Sequence, residues 1–154
     1  MNTAEHGGII AHWTDIIVKK TDGVWWELHD DLFVDLILPW CPGIYRIKID
    51  KGWMTDLGSV PQWARSLVNE GSSDDDLMLA YLVHDAWYQY HISNDRKEAD
   101  RVLRCMSEDC KGVNVGVPTI IYWGVRLGGQ EAWDEFDEHP DRQANRCHIK
   151  LMDR

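Results

Sequence analysis

In the first half of the chain apolar residues recur at every second position. Tyr45, Ile47 and Ile49 alternate with Arg46, Lys48 and Asp50, so a strand here would have one apolar and one charged face. Lys51-Gly52 ends it. Val24–Leu28 and Leu32–Leu36 flank the polar stretch His29-Asp30-Asp31, a pattern that predicts a hairpin. Pro39, Pro42 and Gly43 then break the chain. The string Thr55-Asp56-Leu57-Gly58-Ser59-Val60-Pro61 cannot be a regular element, because Gly58 and Pro61 interrupt it. A short helix is expected from Pro61 through Trp63, Ala64 and Leu67.

After residue 74 the period changes. Asp74, Asp75 and Asp76 favour a helix N-terminus, and a helix is predicted from about Asp75 to His91. A second helix starts near Asp95, with Glu98 placed to complete a capping box. Its stripe is Ala99, Val102, Leu103, Met106 and Cys110, and Lys111-Gly112 ends it. Only Ile92–Asn94 join the two helices, so they are expected to pack as an antiparallel hairpin. A third helix is expected from Pro118 through Ile120, Ile121, Trp123 and Val125, weakening at Gly128-Gly129. From Asp134 onward the chain is polar and reads as a peripheral tail, 134–154. The fold class that follows is α+β: a small antiparallel N-terminal sheet packed on a helical hairpin and a third helix. The 154 residues fit one domain, 1–154.

Composition narrows the function classes. Hydrophobic residues make up 44% and charged residues 27%, as in ordinary globular proteins. The net charge of −10 comes without a basic stripe, which argues against nucleic acid as a partner. The longest apolar run, Leu77–Val83, is too short to span a bilayer. The first twelve residues lack a charged start and an apolar run, so no secretory leader is expected. The four cysteines are therefore expected as free thiols. A zinc site from Cys105, Cys110, Cys147 and His148 is disfavoured by its spacing. The nine tryptophans are read first as core rings, with Trp53, Trp63 and Trp87 also considered as walls of an apolar entrance.

The candidate chemistry lies on the helix pair. His84 shares a face with Leu77, Ala80, Tyr81, Trp87 and Tyr88, so it is partly desolvated and its neutral form is favoured. Asp100 sits at the edge of the second helix's stripe, and a short antiparallel hairpin lets it approach His84. A carboxylate on one imidazole nitrogen fixes the tautomer and stabilises the imidazolium formed when the other nitrogen takes a proton. Tyr88 lies one turn beyond His84, and Asp85 points toward the boundary of the stripe, where it could hold a cation. The alternative is structural: a core histidine with one hydrogen bond, and a capping or solvated aspartate.

Two resemblances bear on these residues. Thr55-Asp56-Leu57-Gly58-Ser59-Val60-Pro61, His84-Asp85-Ala86-Trp87-Tyr88, and Arg96 with Ala99-Asp100 resemble, in that order, a family of unknown-function proteins of tailed phages and prophages. Tyr122, Val125-Arg126-Leu127 and Gly128 fit the same pattern. That resemblance implies a phage context, in the cytoplasm of an infected or lysogenic bacterium or within the virion. Locally, His84-Asp85-x-x-Tyr88 followed by Asp100 looks like the active-site helix pair of phospholipase A2 enzymes. By position, that likeness makes His84 the base that activates water, Asp100 the group that orients it, Tyr88 a support, and Asp85 a calcium ligand. A glycine-rich calcium loop is missing upstream; Asp56, beside Gly58 and Ser59, is the candidate replacement.

The expected function is a metal-dependent hydrolase acting on an ester or amide, with a lipid or peptide as substrate. The runner-up is a non-catalytic virion-assembly or host-interaction protein, whose partner is a phage or host protein and whose histidine and aspartates form a buried polar network. A third reading is an acidic inhibitor of a host defence complex.

Overall fold

Period-two burial organises the N-terminal sheet. Ile9, Ala11 and Trp13, then Leu32, Val34 and Leu36, then Tyr45, Ile47 and Ile49 are buried, while the residues between them face outward or are only partly covered. The computed structural model describes residues 1–21, 26–55, 75–110, 113–138 and 146–154. The strands are β1 (Asn2–His6), β2 (Ile9–Trp13), β3 (Val18–Lys20), β4 (Trp26–Leu28), β5 (Leu32–Ile37), β6 (Gly43–Ile49), β7 (Met54–Thr55) and β8 (Cys147–Asp153). The helices are α1 (Asp75–Tyr90), α2 (Arg96–Ser107), α3 (Val117–Gly128) and α4 (Gln130–Glu138). The class is α+β, as the pattern predicts.

One sheet runs in the order β1-β2-β5-β6-β8, antiparallel throughout. Its buried face joins α1, α2 and α3 in a common core. Tyr45 of β6 meets Trp87 of α1 edge to face at 5.4 Å, and α2 packs on β1 and β2. The outer face carries cross-strand charge pairs. Arg46 grips Asp35, directly opposite it, with two bonds of 2.8 and 2.7 Å. Lys48 reaches Asp31 and Asp50.

The expected hairpin of Val24–Leu28 with Leu32–Leu36 is not formed. β4 pairs instead with β3 and β7 in a separate three-stranded sheet, and β5 lies between β2 and β6. Main-chain bonds show why. Leu28 N donates to Trp53 O, His29 N to Ile17 O, and Gly52 N to Leu28 O, so the backbone around β4 is claimed by segments far from β5. Within 134–154, expected as a peripheral polar tail, regular structure occurs in both described parts, 134–138 and 147–153. α4 extends to Glu138 with Trp133 buried, and β8 pairs with β6 from Cys147 to Asp153. β8 is an edge strand with mostly exposed side chains, so no apolar alternation marks it in the sequence.

α1 departs from the one-sided stripe. From Leu82 to Tyr88 every residue is buried, whichever way it points. A helix wrapped by a sheet and other helices has no solvent face to keep polar. Trp53 and Trp87, considered above as walls of an apolar entrance, are fully enclosed and belong to the core. Trp53 Nε1 donates to Gln89 and Trp87 Nε1 to Ser93. Trp63 and the short helix expected from Pro61 lie outside the described residues.

Candidate functional site

The short connection between α1 and α2 does what its length requires. His91, with φ of 46°, turns the chain out of α1, and Asp95 caps α2 by accepting from Lys97 N at 2.9 Å. The capping box is only half formed. Glu98 does not return to the cap; its carboxylate accepts from Ser93 Oγ at 2.5 Å and Trp40 Nε1 at 2.9 Å. Glu98 thereby ties the connection and the loop after β5 to the start of α2.

This packing brings His84 and Asp100 into contact. His84 Nε2 lies 2.9 Å from Asp100 Oδ1, and both residues are buried, at 1% and 0% exposure. Tyr88 Oη donates to the same Oδ1 at 2.6 Å. The second carboxylate oxygen, Oδ2, accepts from Arg126 Nη1 at 2.9 Å. Arg96 Nη1 lies 3.6 Å from Oδ2, while its guanidinium donates to Val125 O and Arg126 O at 3.0 and 3.1 Å. His84 Nδ1 is buried and has no hydrogen-bond partner among the described residues.

The electrostatics fix the protonation pattern. Burial pushes His84 below its ordinary value, outweighing the pull of Asp100 in the other direction. Burial alone would raise Asp100, but bonds from His84, Tyr88 and Arg126 outweigh it and hold the carboxyl below its ordinary value. Burial, with Asp100 beside it, keeps the Tyr88 phenol protonated well above its ordinary value. The pair is therefore a carboxylate and a neutral imidazole. A carboxylate only accepts, so the imidazole proton sits on Nε2 and the lone pair on Nδ1. That unpartnered nitrogen is the basic atom of the cluster.

Asp85, one residue on, is also buried, and its carboxylate accepts a hydrogen bond from Thr55 Oγ1. Asp56 lies outside the described residues. Calcium takes about six to eight oxygen ligands, and among the described residues no three His, Cys, Asp or Glu side chains gather to hold an ion. The described residues alone thus do not make such a cage. The zinc quartet does not assemble among the described residues either. Cys110 Sγ donates to Met106 O, and His148 pairs with Asp50.

The structure thus joins His84, Tyr88 and Asp100, sets Asp85 beside Thr55, and adds two arginines that spacing did not assign. In the sequence, Arg96 and Arg126 stand out only among the residues of the family resemblance. Arg96 stands four residues before Asp100, which was a usable helical signal. Arg126 reaches Asp100 across a helix–helix contact that no local pattern encodes. Gly129 completes the turn after α3: a Cβ there would lie 2.6 Å from Tyr88 Oη and 2.5 Å from Val125 O.

Among the described residues, helices packed on an antiparallel sheet, with buried His84, Tyr88 and Asp100 and two part-buried arginines at the helix contacts, define the class structurally as α+β. The chain belongs to the family described as protein of unknown function (DUF1353), whose sequence model matches residues 26–125. The matched region contains His84, Asp85, Tyr88, Arg96 and Asp100 and stops one residue before Arg126. No curated protein and no solved structure matches the chain.

Proposed function

We propose that the chain is a hydrolase in which His84 activates water for attack on an ester or amide carbonyl. One observation carries this reading. Asp100 holds Nε2 of a neutral buried histidine while Nδ1 keeps a lone pair that no described residue engages. A histidine kept only for structure would be expected to satisfy both nitrogens, because an unpaired buried polar atom costs about 1–3 kcal/mol. In the proposed reaction Nδ1 takes a proton from water as its oxygen bonds to the carbonyl carbon. Asp100 stabilises the imidazolium that forms. The tetrahedral intermediate then collapses: the bond to the leaving group breaks, and the proton on Nδ1 passes to that group. Tyr88 and Arg126 hold the carboxylate in place. A divalent ion, calcium first, at Asp85 and Asp56 would stabilise the oxyanion. The proposed substrate class is a lipid ester, the setting a phage or prophage in its bacterial host.

The test is a hydrolysis screen of the purified full chain on short-chain esters, phospholipid vesicles and peptides, with calcium, with magnesium and with chelator. His84→Gln and Asp100→Asn are assayed in parallel. Wild-type turnover lost in both variants supports the proposal, and chelator sensitivity supports the ion. If wild type turns over none of these substrates, or if His84→Gln retains full activity, the proposal fails.

One observation favours a second reading. His84 and Asp100 are enclosed at 1% and 0% exposure, as suits a polar network that fixes helix packing in a non-catalytic assembly or host-interaction protein. That reading predicts that His84→Gln lowers stability by a kcal/mol or more, while wild type shows no turnover.

A further inference from the structure

We propose that Arg126 is a positioning residue for the His84–Asp100 pair, held in place by Arg96 through the end of α3. Oδ1 of Asp100 accepts from both His84 and Tyr88, so its lateral freedom is set by what holds Oδ2. Arg126 Nη1 makes the direct bond there, at 2.9 Å, whereas Arg96 stands off at 3.6 Å. Arg96 has another task. It donates to the main-chain carbonyls of Val125 and of Arg126 itself at the C-terminal end of α3, where Val125 O also accepts from Gly129 N. A chain of contacts results: Arg96 fixes the backbone of Arg126, Arg126 fixes Asp100, and Asp100 fixes the proton on His84 Nε2.

The groups facing Asp100 come from three helices: His84 and Tyr88 from α1, Arg96 from α2 itself, and Arg126 from α3. α4 meets the cluster through Trp133, whose ring stands edge-on to Tyr88. β1 and β2 also pack on α2, and the histidine at the end of β1, His6, is paired with Asp76. Of the members in contact with Asp100, Arg126 is the most exposed, at 26% of its side chain. Its replacement therefore removes a charge without opening the core. Without that bond Oδ2 of Asp100 loses its direct partner, the carboxylate can turn away from His84 Nε2, and the contact that selects Nε2–H over Nδ1–H is weakened. In the Nδ1–H form the free lone pair on Nδ1 is lost. As a consequence for catalysis, this rests on the hydrolase reading; as a statement about the His84 proton, it does not.

The experiment is 15N NMR of histidine-labelled full-length protein between pH 5 and 7. The His84 signals are identified by their disappearance in His84→Gln. Wild type is expected to show the Nε2–H tautomer. Arg126→Gln is expected to shift the population toward Nδ1–H, and Arg126→Lys to restore it. Thermal melts confirm that each variant is folded. If the tautomer is unchanged in folded Arg126→Gln, the positioning role is overturned, whatever the activity. A tautomer shift, with wild type inactive in the hydrolysis screen, keeps the positioning role and removes the hydrolase reading. A tautomer shift with a loss of kcat at unchanged KM supports both.

Discussion

At the residue scale, the buried pair makes stability depend on pH with a definite sign. Burial holds His84 below its ordinary value of 6.5. The unfolded chain therefore takes up a proton near 6.5 that the folded chain refuses until lower pH. Stability is full above 6.5 and falls as pH drops from there toward the folded value. Asp100 is held below its ordinary 3.8, so its contribution is present above 3.8 and is lost as pH falls through the lower folded value. Both groups destabilise the acid side, in successive windows. Urea midpoints of wild type and His84→Gln at pH 7.5, 6 and 5 check the first window: the wild-type midpoint should fall more steeply. Equal slopes would mean that His84 titrates normally in the folded chain. Gly129 is the second residue-scale case. A methyl group there meets Tyr88 Oη and Val125 O well inside contact distance. Gly129→Ala is expected to destabilise by about 1–3 kcal/mol, the range for overpacking a closed site, as read by chemical denaturation.

At the element scale, α2 is held by a buried stripe and by a capped entry. The Asp95 carboxylate accepts from Lys97 N, and its carbonyl accepts from Glu98 N and Ala99 N. Asp95→Ala should cost about 1 kcal/mol, measured as a shift in the unfolding midpoint. Asp95→Asn, which keeps the accepting oxygen, should cost much less. The helix pair was legible from sequence because the spacing of Ala99, Val102, Leu103 and Met106 and the shortness of 91–95 leave little choice of geometry. The same local reasoning misassigned β4. Two alternating runs around a polar turn describe a hairpin and also describe neighbouring strands of different sheets. The bonds from Leu28 to Trp53 and from His29 to Ile17 decide between them, and those partners lie elsewhere in the chain.

For the whole molecule, the C-terminal segments lock onto a frame built by earlier ones. Trp133 is buried against Tyr88 and stacked at 3.9 Å on His91. Trp133→Ala should cost about 3–5 kcal/mol by the cavity it leaves. By contrast, Leu127 on α3 is 84% exposed, and Leu127→Ser should stay within about 0.5 kcal/mol of wild type. Equal losses in the two variants would mean that α4 does not pack on α1 as described.

By itself the sequence determined the α+β class, the strands β5 and β6, the α1–α2 pair and the meeting of His84 with Asp100. Each of these is written in a period or a short connection, which are local properties of a chain. Tertiary structure alone decided that α1 is enclosed on nearly every side, that β4 leaves for a second sheet, that β8 closes an edge, and that Arg126 holds Asp100. Those outcomes depend on which distant segments compete for one backbone or one carboxylate, and that competition is settled only when the chain is packed.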